Sequence, residues 1–340
     1  MEINLISDTV TRPTPAMLDA MMSAKVGDDV FKEDPSISAL EEKTAVLFGK
    51  QAALFFPSGT MANQTAIKVH TQPGEQLICD HYAHIFNYEG GGVSFNSGVS
   101  CKLIEGERGR ITALQVAAAI NPPDFYHSPL TSLVFLENTT NKGGGAIWDF
   151  KEMQAIRKVC DTHGLNYHLD GARLWNALAV TGEDPFIYGQ LFDSISICFS
   201  KGLGCPVGSV LVGSNEFIAK ALRVRKLFGG GMRQAGYLAA AGIYALDHHR
   251  ERLSEDHNKA KEIAILLSKK EFVKSVEAVD TNIIIFELEQ KLLSQDVFIQ
   301  KMNAQGVRLI SMGTGKLRLV THLDYTTVMH DRFLSILDSF

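Results

Sequence analysis

Between residues 52 and 212 the chain alternates short apolar runs with stretches of helical periodicity, and this alternation limits the fold more than any other feature. The runs are Ala52–Phe56, Gln76–Cys79, Cys101–Ile104, Ser132–Leu136, Asn166–Leu169, Ser194–Phe199 and Ser209–Val212, with helices predicted over 59–71, 112–120 and 149–163. Short runs that are apolar on both faces suit strands covered on two sides. Strands interleaved with helices form an α/β domain around a largely parallel sheet. Two helices are predicted ahead of the sheet. One spans 14–25, with a threonine at its N-cap and Pro15 in its first turn. The other spans 36–48 and closes on Gly49.

After about residue 250 the pattern changes. A polar helix (Arg250–Lys269) leads into strands near 272–279 and 282–288, a helix at 294–305, strands at 307–311 and 316–320, and a terminal helix. This reads as a smaller α+β domain, so the expected division is 1–250 and 251–340, with the N-terminal segment also reaching the small domain. A chain of 340 residues is long enough for two such tightly joined units.

The totals exclude several function classes. Thirty-three basic against 38 acidic residues give a net charge of −5, with no dense basic stripe, so no nucleic-acid partner is expected. No apolar run approaches the length that crosses a bilayer; the longest, Leu238–Leu246, contains Gly242. Five cysteines without a CxxC pair read as reduced core thiols. With an N-terminus (MEINLISDTV) unlike a signal peptide, they point to the cytoplasm.

The common chemical motifs also fail. Gly202-Leu-Gly204-Cys-Pro-Val-Gly208 misses the dinucleotide spacing, and Pro206 would interrupt the helix that must follow. Neither a Walker A sequence nor a G-x-S-x-G elbow occurs. His81 and His84 form an HxxH without HExxH chemistry or a nearby cysteine, so no metal is expected.

What remains is a set of single residues at predicted strand ends, where open α/β sheets bind ligands. Asp170 ends "NYHLD", Lys201 follows the run that ends at Phe199, and Pro57-Ser-Gly-Thr60 opens a helix whose free N–H groups suit a phosphate. Each has an ordinary explanation alone: a helix cap, a turn, or an Asp170–Arg173 ion pair. Together they supply an amine, an acid and a phosphate cradle, and pyridoxal phosphate uses that set. On this reading the apolar strand disfavours the charged form of Lys201, which makes it a nucleophilic amine, and the flanking glycines leave room for a flat ring.

Ordered blocks across nearly the whole chain carry a family resemblance. They are "SDTVTRPTPAML" (7–18), "VGDDVFKEDP" (26–35), "PSGTMANQ" (57–64), "LENTTN" (136–141), "HLDGARLWNA" (168–177), "CFSKGLGCPVGS" (198–209), "GGGMRQAG" (229–236) and "RLVTHLD" (318–324). The chain resembles the low-specificity L-threonine aldolases, fold-type I pyridoxal-phosphate enzymes of the aspartate aminotransferase superfamily. The resemblance implies a mostly parallel seven-stranded sheet covered by helices, a smaller C-terminal domain, and cleavage of a β-hydroxy-α-amino acid to glycine and an aldehyde.

By the same resemblance Lys201 bonds the cofactor, Asp170 meets its pyridine nitrogen and His84 stacks on its ring. Ser58, Gly59, Thr60, Ser200 and Arg233 surround the cofactor, with Arg173 shared between cofactor and substrate. Ser7, Arg173 and Arg318 hold the substrate carboxylate, and His127 lies near the substrate hydroxyl, leaving His84 and His127 as alternative bases. Lys226 and Arg233 belong to blocks that the family contributes to a neighbouring subunit, which implies a homodimer at least, commonly a tetramer. Three positions depart from many relatives: Ile6 replaces an arginine, Phe31 a tyrosine near the substrate, and Thr140 a histidine. A β-eliminating lyase, an aminotransferase or a relative without turnover is the alternative.

Overall fold

A computed structural model describes residues 1–313 and 315–340. Its centre is a seven-stranded sheet in the order Ala52–Phe56, Ser209–Gly213, Ser194–Cys198, Asn166–Gly171, Thr131–Glu137, Gln76–Asp80, Ser100–Ile104. The last five strands of that order pair in parallel, whereas Ser209–Gly213 runs antiparallel to both its neighbours. Every residue of Gln76–Asp80, Ser194–Cys198 and Ser209–Gly213 is buried, as expected of strands covered on both faces. The mostly parallel α/β sheet expected from the sequence is therefore present.

The helices start where their caps dictate. Thr14 and Asp34 accept N–H groups at the starts of Pro15–Met22 and Pro35–Leu47, each with proline in the first turn. Ser58 caps Gly59–His70 by accepting the Met61 N–H at 3.1 Å.

A second sheet of four antiparallel strands, Ile310–Gly313, Lys316–Val320, Ile283–Leu288 and Val273–Val276, lies C-terminally. The strand expected over 307–311 divides in two. Val307–Arg308 pairs in parallel with the N-terminal Ile3–Asn4, and Ile310–Gly313 joins the four-stranded sheet. This happens because Ile3 and Leu5 are fully buried in the C-terminal apolar cluster, among Phe286, Phe298, Val307 and Phe333. A separate, larger cluster surrounds the seven-stranded sheet, from Met17 to Leu253. The first residues thus cross the molecule and bring Ser7 and Asp8 to the carboxyl ends of the parallel strands.

Close approach decides some positions. The Gly189 Cα, in the helix Pro185–Leu191, lies so near the Phe48 carbonyl oxygen that an added methyl would overlap it. Overpacking against backbone leaves little room to relax, so Gly189→Ala is expected to lower stability by about 2 kcal/mol or more, measured by urea denaturation.

Candidate active site

At the carboxyl edge of the parallel strands lies a cavity of about 270 Å³. Strand register builds its floor. Glu137 and Asp170 end adjacent strands as direct neighbours, and Asp170 stands beside Ser196 on the next. Cys198 closes that strand, and the turn after it carries Lys201 to the cavity. The turn is pinned by its backbone: the Lys201 carbonyl accepts the Gly204 N–H at 2.8 Å and the Thr11 hydroxyl at 2.9 Å. Gly204 is needed for its left-handed backbone, φ +78°, and for its closeness to Leu323. Neither Gly202 nor Gly204 lines the cavity, so their role is to form and pack the turn rather than to clear space for a ring.

Asp170 is held on both oxygens. Oδ1 accepts the Ala172 N–H at 2.9 Å, and Oδ2 accepts Asn63 Nδ2 at 2.8 Å. The same amide donates to Glu89 Oε1 at 2.9 Å, while Ser196 Oγ donates to Asn63 Oδ1 at 2.6 Å. Glu89 in turn meets His84 Nδ1 at 2.9 Å and accepts Gln64 Nε2 at 2.6 Å. Burial lowers the pKa of His84, but the Glu89 bond and the charges of Asp170 and Glu137 carry it above its ordinary value. Bonding at Nδ1 leaves Nε2 as the nitrogen free to exchange a proton with a ligand.

The opposite wall is cationic. Arg173 does not pair with Asp170. Its Nε and Nη2 donate to the two oxygens of Asp8, at 2.8 and 2.7 Å. Asp8 is fully buried, and although burial alone would raise its carboxyl, the Arg173 guanidinium holds it at about 2. Asn282 also donates to Asp8, at 3.3 Å, linking the C-terminal sheet to this pair. Arg318 Nη1 and Arg173 Nη1 both point at Asn141 Oδ1, at 2.9 and 3.4 Å, and Arg318 Nη2 reaches the Ile6 carbonyl at 3.2 Å. That last bond uses backbone, so isoleucine at position 6 serves it as well as arginine would.

Lys201 differs from the sequence expectation. Burial lowers its pKa, but the charges of Cys198, Asp170 and Asp8 outweigh burial and the opposing Arg173, so the net shift is upward. In the protein alone this side chain is an ammonium held among acids, not a neutral amine.

Lys201, Asp170, His84, Gly59, Thr60, Ser7, Arg173 and Arg318 thus meet in one cavity. Ser58 stands just outside as the helix cap, and Ser200 is beside Lys201 without lining the cavity. Four other residues named from the sequence lie on the surface of the single chain. His127 is exposed against Tyr126, Phe31 is 69% exposed, Lys226 ends the helix Asn215–Leu227, and Arg233 pairs with Asp28. Thr140 also lies outside the cavity and donates to the Arg108 carbonyl at 2.9 Å. His81 lies 3.4 Å from Asp80 without a hydrogen bond to it while His84 bonds Glu89, so the HxxH pair does not converge on one point.

Sequence reasoning missed Asp8, Asn63, Glu89, Glu137 and Asn141. Four of these lie within the motif blocks as polar residues, and each has at least one partner distant in sequence. Asn63 had a readable sign: an amide on the helix Gly59–His70 face that turns inward with Ala62 and Ala66.

The donor set fits pyridoxal phosphate. Ser58 takes the Met61 N–H, but helix geometry gives those of Gly59 and Thr60 no intrahelical partner, and both residues line the cavity. A methyl on Gly59 would come within 2.7 Å of Cys198 Sγ, so only glycine allows this approach. Arg318 Nε is buried without a partner among the described residues, as a site awaiting an anion would leave it.

Comparison with known proteins agrees with this chemistry. Residues 4–291 match the family model described as beta-eliminating lyase. Low-specificity L-threonine aldolase 1 of Arabidopsis thaliana is 41% identical over 332 residues, covering 96% of this chain and 92% of that protein. The low specificity L-threonine aldolase of Escherichia coli strain K12 is 41% identical over 322 residues, covering 95% and 94%. The chain belongs to the beta-eliminating lyase family, in its low-specificity L-threonine aldolase branch. A solved Leishmania major threonine aldolase shares the fold, with TM-score 0.84 at 21% identity over 99% of each chain.

Asp8→Asn removes the partner of a buried guanidinium and is expected to destabilise the protein by roughly 3–5 kcal/mol. Because the Asp8 carboxyl is held at about 2 in the fold, below its ordinary 3.8, its contribution is present above about pH 4 and is lost as pH falls through about 2. Denaturation of wild type and variant across that range should therefore converge in acid.

Proposed function

We propose that this protein is a pyridoxal-phosphate-dependent L-threonine aldolase that cleaves L-threonine or L-allo-threonine to glycine and acetaldehyde. One observation carries the reading: an amine, a strand-end acid, a helix N-terminus and two arginines converge on one cavity. The aldolase relatives at 41% identity over almost the whole chain support it.

The residues divide the work by position. Lys201 would hold the cofactor covalently, with Asp170 as the partner of its ring nitrogen and His84 beside its ring. Gly59 and Thr60, with Ser58 and Ser200 beside them, hold its phosphate. When bound, pyridoxal phosphate supplies a carbonyl that reacts with amines and a ring that accepts the electron pair of the Cα–Cβ bond. Arg318 and Arg173, with Ser7, bind the substrate carboxylate; a planar guanidinium makes two parallel bonds to it. Asp8 already occupies one edge of Arg173, so this arginine offers its remaining N–H groups and Arg318 supplies the freer fork.

His84 Nε2 takes the β-hydroxyl proton as the carbon–carbon bond breaks, and a proton returns to Cα to complete glycine. Glu89, bonded at Nδ1, orients the imidazole and stabilises its charged form. His84 is the better placed of the two candidate bases within one chain, since His127 lies on the surface.

The remaining proposals follow the family. The protein acts as a homodimer or tetramer in which Lys226 and Arg233 approach a neighbouring subunit's cavity, consistent with their exposure here. The division into units 1–250 and 251–340 is supported by two separate apolar clusters, with Ile3 and Leu5 belonging to the second. No helix among the described residues is long and apolar enough to cross a membrane, and the five cysteines are free, which supports a reduced cytoplasmic location.

β-Elimination is the second reading, favoured by the description of the matching family model. Product analysis separates the two: glycine and acetaldehyde from L-threonine support the aldolase, whereas an oxo acid and ammonia support elimination. Borohydride reduction of the holoenzyme and peptide mapping should place the pyridoxyl group on Lys201; a label on another lysine overturns the assignment. His84→Asn should lower kcat by about 100-fold or more while cofactor binding persists.

A further inference from the structure

We propose that Glu137 is a positioning residue that ties the His84 backbone, and through it the placement of the imidazole, to the arginine clamp, so that one buried carboxyl group sets both ends of the site. Its two oxygens serve two different segments. Oε2 accepts the backbone N–H of His84 at 2.7 Å, and Oε1 accepts the backbone N–H of Asn141 at 2.7 Å. Asn141 then places its side-chain oxygen between Arg318 and Arg173. The chain of contacts therefore runs from the His84 backbone to the Glu137 carboxyl, to Asn141 and to the guanidinium pair. The inference rests on the clamp being the substrate-carboxylate site, as read above.

An ionised carboxylate can accept both N–H groups. Once protonated, one oxygen becomes a hydroxyl whose hydrogen faces a donor, and one tie weakens. The surroundings bring that event into the neutral range. Burial and the charge of Asp170 on the adjoining strand push the Glu137 carboxyl up to about 7, while the Asn141 and His84 N–H groups and the His84 charge oppose them. Cys79 lies on the other adjoining strand, and Arg173 lies within reach of its charge from the helix side. Asp80 and Tyr82 face it across a small cavity. His84 and Glu137 are mutually dependent: a proton on Glu137 removes charge that helps to hold one on His84.

The consequence is a carboxylate clamp that slackens as pH falls through about 7. The test is glycine affinity of the holoenzyme by titration calorimetry, for wild type, Glu137→Gln and Asn141→Ala, between about pH 6 and pH 8. Glutamine has the same shape but one acceptor oxygen, so it lacks one tie at every pH. Glu137→Gln should bind glycine ~10-fold more weakly than wild type at about pH 8 and nearly equally at about pH 6. The variant-to-wild-type ratio cancels the ionisation of glycine's own amine. A ratio that does not change with pH, or a variant that binds as wild type does at high pH, overturns the proposal. If the glutamine variant does not fold, Asn141→Ala decides. It keeps Glu137 but cuts the link, so its glycine affinity should lose the wild-type component near pH 7; retention of that component overturns the proposal. Formation of glycine and acetaldehyde by wild type is measured separately, so failure of the aldolase reading is distinguishable from failure of this one.

Discussion

The bond between Asp8 and Arg173 is the interaction on which the functional edge depends. A buried guanidinium without a partner is costly, and the fold supplies the partner from the first ten residues rather than from the sheet. That choice has structural consequences. Asp8 can reach Arg173 only if Ile3 and Leu5 are anchored in the C-terminal cluster and Ile3–Asn4 pairs with Val307–Arg308. Asn282 then bonds Asp8, and Arg318 bonds the Ile6 carbonyl, so the C-terminal sheet is tied to the same segment. One ion pair thus joins the chain start, the parallel sheet and the C-terminal sheet at the cavity.

The charges around that pair explain the state of Lys201. Three cations, Lys201, Arg173 and Arg318, share the cavity with Asp170, Glu89 and Glu137, with Asp8 behind them. Asp8 compensates Arg173 directly, Asp170 and Asp8 favour the charged form of Lys201, and Arg318 retains a buried N–H without a partner. That unpartnered N–H lies where a phosphate or a carboxylate would bring negative charge. The same electrostatics that stabilise ammonium in the protein alone would be changed when ligand anions enter.

Much of this was legible in the sequence. The alternation of buried strands and helices gave the sheet its class, and strand ends at Asp170 and Lys201 located the edge where a ligand binds. What the sequence concealed were partners. Arg173 lies three residues from Asp170, so local spacing suggested that pair, yet the two sit on a strand end and a helix start that direct them apart. Its true partner is 165 residues away. Glycines in "SKGLG" looked like space for a ring and are instead needed by the turn. The antiparallel course of Ser209–Gly213 was likewise invisible, because a buried strand has the same composition in either direction.

Departures from the family pattern acquire a physical meaning through the same contacts. Ile6 acts through its carbonyl, so replacing the side chain leaves the Arg318 bond available. Thr140 spends its hydroxyl on the Arg108 carbonyl, away from the cavity. Phe31 is exposed on the single chain, where loss of a hydroxyl removes no internal bond. None of the three alters the amine, the strand-end acid or the clamp. The network from Asp170 through Asn63 and Glu89 to His84 is likewise untouched by these substitutions. Substrate preference must be set by whatever faces the β-substituent. On the proposed reading His84 and its cavity neighbours form that wall within one chain, while residues 31, 127, 226 and 233 are exposed outside the cavity. On the proposed reading the groups for the chemistry lie within each chain, and selectivity would depend on what a second subunit adds.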